Sequence, residues 1–83
     1  MLTGRTPRLD LHGEEVAVVY ALVNEFILDN YKMGNEEVAV IHGKSTNILT
    51  KEVHDILKHH QKVASFKLNP FNVGETVIKL KKL

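Results

Sequence analysis

The stretch Val38 to Leu49, VAVIHGKSTNIL, decides the fold. Val38 to Ile41 followed by His42 reads as a short strand buried on both faces, because the run is apolar and too short for a helix. Gly43 to Asn47 carries no apolar side chain, and a second amphipathic run begins at Ile48. A strand, a tight polar turn and a helix start therefore follow one another. Backbone N–H groups at such a helix start lie beside Lys44, Ser45 and Thr46, a setting that attracts anions.

Outward from this stretch, the amphipathic runs alternate with short strands. Leu9 to His12 alternates apolar and polar and predicts β1, ended by Gly13. Glu14 to Met33 predicts the first helix, with Val16, Val19, Tyr20, Val23, Phe26, Ile27 and Tyr31 on one stripe. Glu14 and Glu15 then fall in its first turn, where the helix dipole favours acids, and Gly34 suits a left-handed stop. Glu36 to His42 is β2. Thr46 or Asn47 caps the second helix, which runs to about His60 with Leu49, Val53, Ile56 and Leu57 inward.

Lys51, His54 and Lys58 lie off that stripe and read as solvated, and His59, His60 and Lys62 read as cations favoured at a helix C-terminus. Val63 to Leu68 predicts β3, Asn69 to Glu75 a turn or hairpin loop around Pro70 and Gly74, and Thr76 to Leu80 β4. The order β-α-β-α-β-β implies parallel pairing with right-handed crossovers and an antiparallel last strand. The fold class is α/β, a two-layer sandwich with a four-stranded mixed sheet. Residues 1 to 8 are expected as a flexible lead-in and residues 9 to 83 as the domain.

At 83 residues the chain makes one domain with a thin core, since a domain of this size buries only roughly 60% of its unfolded surface. Its 43% hydrophobic content is that of an ordinary globular domain. The sequence has no Cys, which excludes disulfides and thiolate metal sites and is compatible with a reducing compartment. Its apolar runs fall far short of the ~20 residues of a membrane helix, and Met1 to Leu9 lacks the apolar centre of a signal peptide. The expectation is a cytoplasmic protein with no membrane contact.

A net charge of +1 hides an asymmetry. Residues 10 to 37 hold seven acids and one Lys, whereas residues 38 to 83 hold three acids and eight Lys, a net +5. A basic half can follow a phosphate backbone, and lysines also furnish any solvated face.

Two loops, Asp10-Leu11-His12-Gly13 and His42-Gly43-Lys44-Ser45-Thr46, fall at the C-terminal ends of parallel strands, the edge where open α/β sheets bind ligands. His moves protons near neutral pH, Asp can orient it, and Lys with backbone amides can hold a phosphate. Asp10 and His12 equally suit the task of hydrogen-bonding the turn before the first helix. A metal site from Asp10, His12 and a second histidine is a third arrangement, which the spacing does not demand. Gly43-Lys44-Ser45-Thr46 has the look of a P-loop tail, but Val38 stands where that motif needs its first Gly.

Leu9-Asp10-Leu11-His12-Gly13, His42 to Asn47, and Val63-Ala64-Ser65-Phe66-Lys67-Leu68 with Pro70 together resemble the Smr (small MutS-related) domain family. The family patterns are Leu-Asp-Leu-His-Gly, His-Gly-x-Gly-Thr-Gly and Val-x-Ser-Phe-Arg/Lys-Leu-x-Pro, and the resemblance runs from about Leu9 to Leu80. It implies two helices on one face of the sheet, as in the C-terminal domain of translation initiation factor 3. It also implies binding of DNA or RNA and, in several members, nicking of one strand. Asp10 and His12 would then be the catalytic pair. Arg8, His42, Gly43, Lys44, Ser45 and Thr46 would contact nucleic acid.

A divalent metal such as Mg is compatible with this reading but not required by the sequence, and a larger parent protein or a targeting partner would complete the system. Three departures stand out: Ser45 and Asn47 replace loop glycines, Ala17 and Val18 replace early helix acids, and the Gly-rich stretch before β4 shrinks to Val73-Gly74-Glu75. A Cβ at position 45 opposes both positive φ and close approach of a phosphate.

Overall fold

The computed structural model describes residues 5–44 and 47–83. Its elements are β1 (Arg8–Asp10), α1 (Val16–Lys32), β2 (Glu37–Ile41), α2 (Ile48–His59), β3 (Val63–Asn69) and β4 (Asn72–Leu80). The expected α/β sandwich with a four-stranded mixed sheet is the one observed. Strand order is β1-β2-β4-β3.

Only β1 and β2 pair in parallel, with Leu9 opposite Val40. β4 runs antiparallel to both neighbours, with Ala39 opposite Val77 and Phe66 opposite Ile78. β3 follows α2 in the same direction as β2, yet β4 folds back between them, so the two βα units give one parallel pair rather than two. Both crossovers progress the same way across the sheet, and right-handed connections then place both helices on one face.

Leu11, Val38, Val40, Ile78 and Leu80 from the sheet side meet Val19, Val23, Ile27, Val53, Ile56 and Leu57 from the helices. On the opposite face Ala39 is also fully buried, because Arg8 and Val77 flank it in register and their longer side chains cover the small one. At the end of the stretch read as a lead-in, Pro7 accepts the Ala39 N–H at 3.0 Å and Arg8 opens β1.

Several boundaries differ from the sequence reading, each for a local reason. α1 starts at Val16, so Glu14 and Glu15 precede it and the first turn holds no acid. Gly13 at φ +85° and the Glu14 N–H bond to the Leu11 carbonyl occupy those residues in a turn. Val16 and Tyr20, expected inward, are exposed, and the buried row is Val19, Val23, Ile27 and Asn30. Asn30 is tolerated because its amide donates to the Phe26 carbonyl and accepts from Asn35. Gly34, at φ +80°, ends the helix as expected.

The presumed loop between β3 and β4 is mostly strand. Asn69 pairs with Asn72, leaving Pro70-Phe71 as a two-residue turn, and Gly74 and Glu75 lie within β4.

At the end of α2, His59 behaves as expected, donating from Nδ1 to the Asp55 carbonyl at 2.9 Å. His60 does not. Its Nδ1 accepts the Lys62 N–H at 3.0 Å and its Nε2–H donates to Asn24 Oδ1 at 2.9 Å, so it is a neutral clasp between α2 and α1. Burial first, and the Lys62 charge second, hold its pKa below the ordinary 6.5. Lys62 itself lies 4.6 Å over the Tyr31 ring.

Two outcomes follow from this packing. Ile27→Ala, at a fully buried site, is expected to lower unfolding free energy by about 2–5 kcal/mol in urea titrations. The unfolded chain takes up a proton at His60 that the folded state resists. Stability should therefore be flat above about pH 6.5 and fall with pH between that value and the lowered one. Thermal melts should show this fall, and His60→Gln, which cannot titrate, should show a shallower one.

Candidate functional site

The site grows from the way β1 ends. Leu11 is fully buried and donates its N–H to the Ile41 carbonyl at 2.7 Å, which anchors the chain just past the strand. Its neighbours Asp10 and His12 are thereby left exposed at the sheet edge. Asp10 Oδ1 accepts the backbone N–H of His12 at 2.8 Å, a local Asx bond that shapes the turn leading to Gly13. This carboxylate thus serves the turn and does not touch the imidazole through that bond.

The second loop is seated on β4. The Gly74 carbonyl accepts two N–H groups, from His42 at 2.9 Å and from Gly43 at 3.0 Å. Gly43 adopts φ +87°, and a Cβ there would lie 3.5 Å from Cδ2 of His12, so the two loops touch. A Cβ on Gly74 would come within 3.0 Å of Lys44 Cγ and 3.3 Å of the Gly43 carbonyl carbon. Lys44, itself exposed, rests its stem over this glycine. Sequence reasoning missed Gly74 as a site residue. Its signal was that it is the remaining glycine of a stretch that the family pattern has as Gly-rich.

His42 was expected in the phosphate-facing loop, but its imidazole is buried beneath it at 3% exposure. Nδ1 lies 3.2 Å from the Gly43 carbonyl and 2.8 Å from Thr50 Oγ1, and Nε2 lies 2.8 Å from Thr76 Oγ1. The Gly43 carbonyl can only accept, so Nδ1 carries the proton and Nε2 accepts from the Thr76 hydroxyl. Thr76 in turn takes the Nε2–H of His54, at 2.7 Å.

His54 is therefore not a solvated helix residue. It is half-buried against Phe66, ring centroids 5.1 Å apart, and desolvation followed by the nearby His42 lowers its pKa. Position 54 sits one turn from Thr50 and Leu57, at the border of the apolar stripe, where a side chain reaches the sheet. Sequence periodicity treats such borders as surface.

Arg8 is committed elsewhere. Its Nε donates to Glu75 Oε2 at 3.0 Å and its Nη1 to the Thr6 carbonyl. Glu75 is nearly buried and also accepts from Asn69 Nδ2 at 2.9 Å. Ser45 and Thr46 lie outside the described residues. The structure thus brings together Asp10, His12, Gly43 and Lys44, and sets His42 below them as a support and Arg8 aside in an ion pair.

Among the described residues no group of three or more His, Asp or Glu side chains is arranged to hold a metal ion. With both its ring nitrogens engaged, His42 offers none to the Asp10, His12 and second-histidine arrangement. No helix of the described residues is long and apolar enough to cross a membrane.

In sequence and in overall fold the chain is similar to known proteins. The chain is similar to Endonuclease MutS2 of Helicobacter pylori, 42% identical over 76 residues that cover 92% of this chain and 10% of that protein. Endonuclease MutS2 of Clostridium tetani is 36% identical, covering 88% and 10%. The chain thus spans about a tenth of the length of the curated relatives it matches. The crystal structure of the Smr domain of Thermus thermophilus MutS2 superposes with a TM-score of 0.88 at 26% identity, covering 92% of this chain and 99% of that one. YdaL, a stand-alone small MutS-related protein of Escherichia coli, gives 0.85 at 25% identity, covering 95% and 70%. The Smr domain model itself matches residues 9–81, nearly the whole fold, and the chain belongs to the Smr domain family.

Proposed function

We propose that this domain binds DNA or RNA at the edge formed by the Asp10–Gly13 turn and the Gly43–Lys44 loop, and nicks one strand there. The supporting observation is the approach of the His12 ring to Gly43, which sets a proton-transfer group beside the loop that bears Lys44. The relatives named as endonucleases agree with this reading. Because they are about ten times longer than this chain, targeting is assigned to a larger parent or a partner protein. The cysteine-free composition suits a reducing cytoplasm, where we place it.

In this mechanism a phosphate of the strand lies against Lys44. Water attacks the phosphorus while a ring nitrogen of His12 accepts its proton. The bond to the sugar oxygen breaks, and that oxygen takes a proton from solvent. Lys44 offsets the negative charge that builds on the phosphoryl oxygens. Asp10 fixes His12 through the backbone N–H, so its role is positioning.

A non-catalytic binding module is the second reading. It is favoured by the Asp10 bond to backbone rather than to the ring, and by Ser45 where the family pattern has Gly. Incubating the domain with supercoiled plasmid and with structured RNA, with Mg²⁺ or with chelator, separates the two. Binding without cutting under all conditions would decide for the module.

Lys44→Ala is expected to weaken binding and to reduce the slope of log K against log salt by about 0.9 on duplex or about 0.7 on a single strand. Equal affinity for variant and wild type would rule out this edge. His12→Ala should slow nicking by about 10²-fold or more. The Asp10→Ala/His12→Ala double variant should be no slower than His12→Ala alone, as for residues acting as a unit. Asp10→Asn keeps an acceptor for the His12 N–H and should retain most activity if the role is positioning.

A further inference from the structure

Phe71 stands at 96% exposure, the most exposed of the large apolar side chains described. It caps the β3–β4 hairpin in the turn between Asn69 and Asn72. The tip is well fixed. Asn69 Oδ1 accepts the Phe71 N–H at 2.9 Å, Asn72 Oδ1 accepts the Gly74 N–H at 3.0 Å, and Asn69 Nδ2 reaches the nearly buried Glu75. A turn pinned by these bonds holds the aromatic ring in water, so the folded domain gains no burial from that ring.

Its place relative to the site is informative. β4 leads from the tip to Gly74, the residue that seats His42, Gly43 and the Lys44 stem. Three extended residues span roughly 10 Å. That is about three stacked base steps at roughly 3.4 Å each along one strand. Behind the tip, on the sheet face without helices, a groove of about 620 Å³ is lined by Ser65, Lys67, Phe71, Val77 and Lys79 among others. Its acid, Glu37, stands opposite Lys79 in register, and Glu75 is held by Arg8 and Asn69. The ring is therefore bordered by lysines, and the nearby carboxylates face cationic or amide groups.

We propose that Phe71 is a stacking platform for an unpaired base of the strand whose phosphate lies on Lys44. The inference rests on the nucleic-acid reading above and names the substrate class, a nucleic acid with bases free of the duplex. Bases inside a duplex already stack on their neighbours, whereas an unpaired base can lie on an aromatic face while lysines follow its backbone. Leu68 and Val73 are further exposed apolar residues of the hairpin, but Lys67 and Lys79 line the groove beside the ring, where they suit a phosphate backbone better than an apolar protein partner.

The test measures binding of single-stranded DNA, single-stranded RNA and the matching duplex by fluorescence anisotropy at fixed salt. Phe71→Ala is expected to weaken both single strands at least about fivefold and to leave the duplex within about twofold. Its salt slope should match the wild type, unlike that of Lys44→Ala. Because the chain has no Trp, Phe71→Trp supplies a lone reporter, expected to keep affinity and to be quenched by single strands. A higher affinity for one sugar identifies the strand as DNA or RNA.

Wild type that binds nothing at low salt would remove the nucleic-acid reading and this proposal with it. Wild type that binds, with Phe71→Ala binding single strands equally well or losing duplex to the same extent, would overturn the platform alone. An unchanged melting temperature for Phe71→Ala shows that the ring is not structural.

Discussion

The carbonyl of Gly74 holds two N–H groups from the end of β2, and the arrangement of the candidate site depends on it. A strand that ends in a tight turn leaves unsatisfied backbone donors, and satisfying two of them at one acceptor fixes where the next residues go. The absence of a side chain at 74 permits the approach, and the positive φ of Gly43 turns the chain towards His12. Glycines on two different elements thus cooperate. Neither has an evident purpose when considered alone.

Beneath that loop, the polar residues His42, Thr76, His54 and Thr50 form one hydrogen-bonded set between α2 and the sheet. No buried side-chain polar atom among the described residues lacks a partner. Such a set is directional, since the one hydroxyl hydrogen of Thr76 goes to His42 while the Thr76 oxygen accepts the His54 N–H, which fixes the two tautomers relative to each other. It orients α2 as well as the loop. Apolar contact alone would allow the helix to slide along the sheet.

The two faces of the sheet are put to different uses. One is covered by both helices and supplies the core, while the other stays open and carries ion pairs such as Arg8 with Glu75. Part-burial of that pair limits screening, yet its main effect is to hold Arg8 in place rather than to add stability. The lysine excess of the second half of the sequence is consequently spread over the hairpin, α2 and the Lys44 loop instead of forming one stripe.

By itself the sequence determined the element order, the inward placing of Val19, Val23 and Ile27 on the first helix and of Val53, Ile56 and Leu57 on the second, the left-handed stop at Gly34 and the two loops at one sheet edge. These follow from local periodicity and from backbone preferences that act over a few residues. It also determined the family, through ordered motifs around Asp10, His42 and Ser65. Tertiary structure alone decided that β4 separates β2 from β3, that His42 and His54 share Thr76, that Arg8 answers Glu75 and that Gly74 seats the Lys44 loop. Each of these joins residues more than twenty positions apart. Nothing in the local pattern of either partner specifies the other, because the pairing exists only once the packed core has set the distance between them.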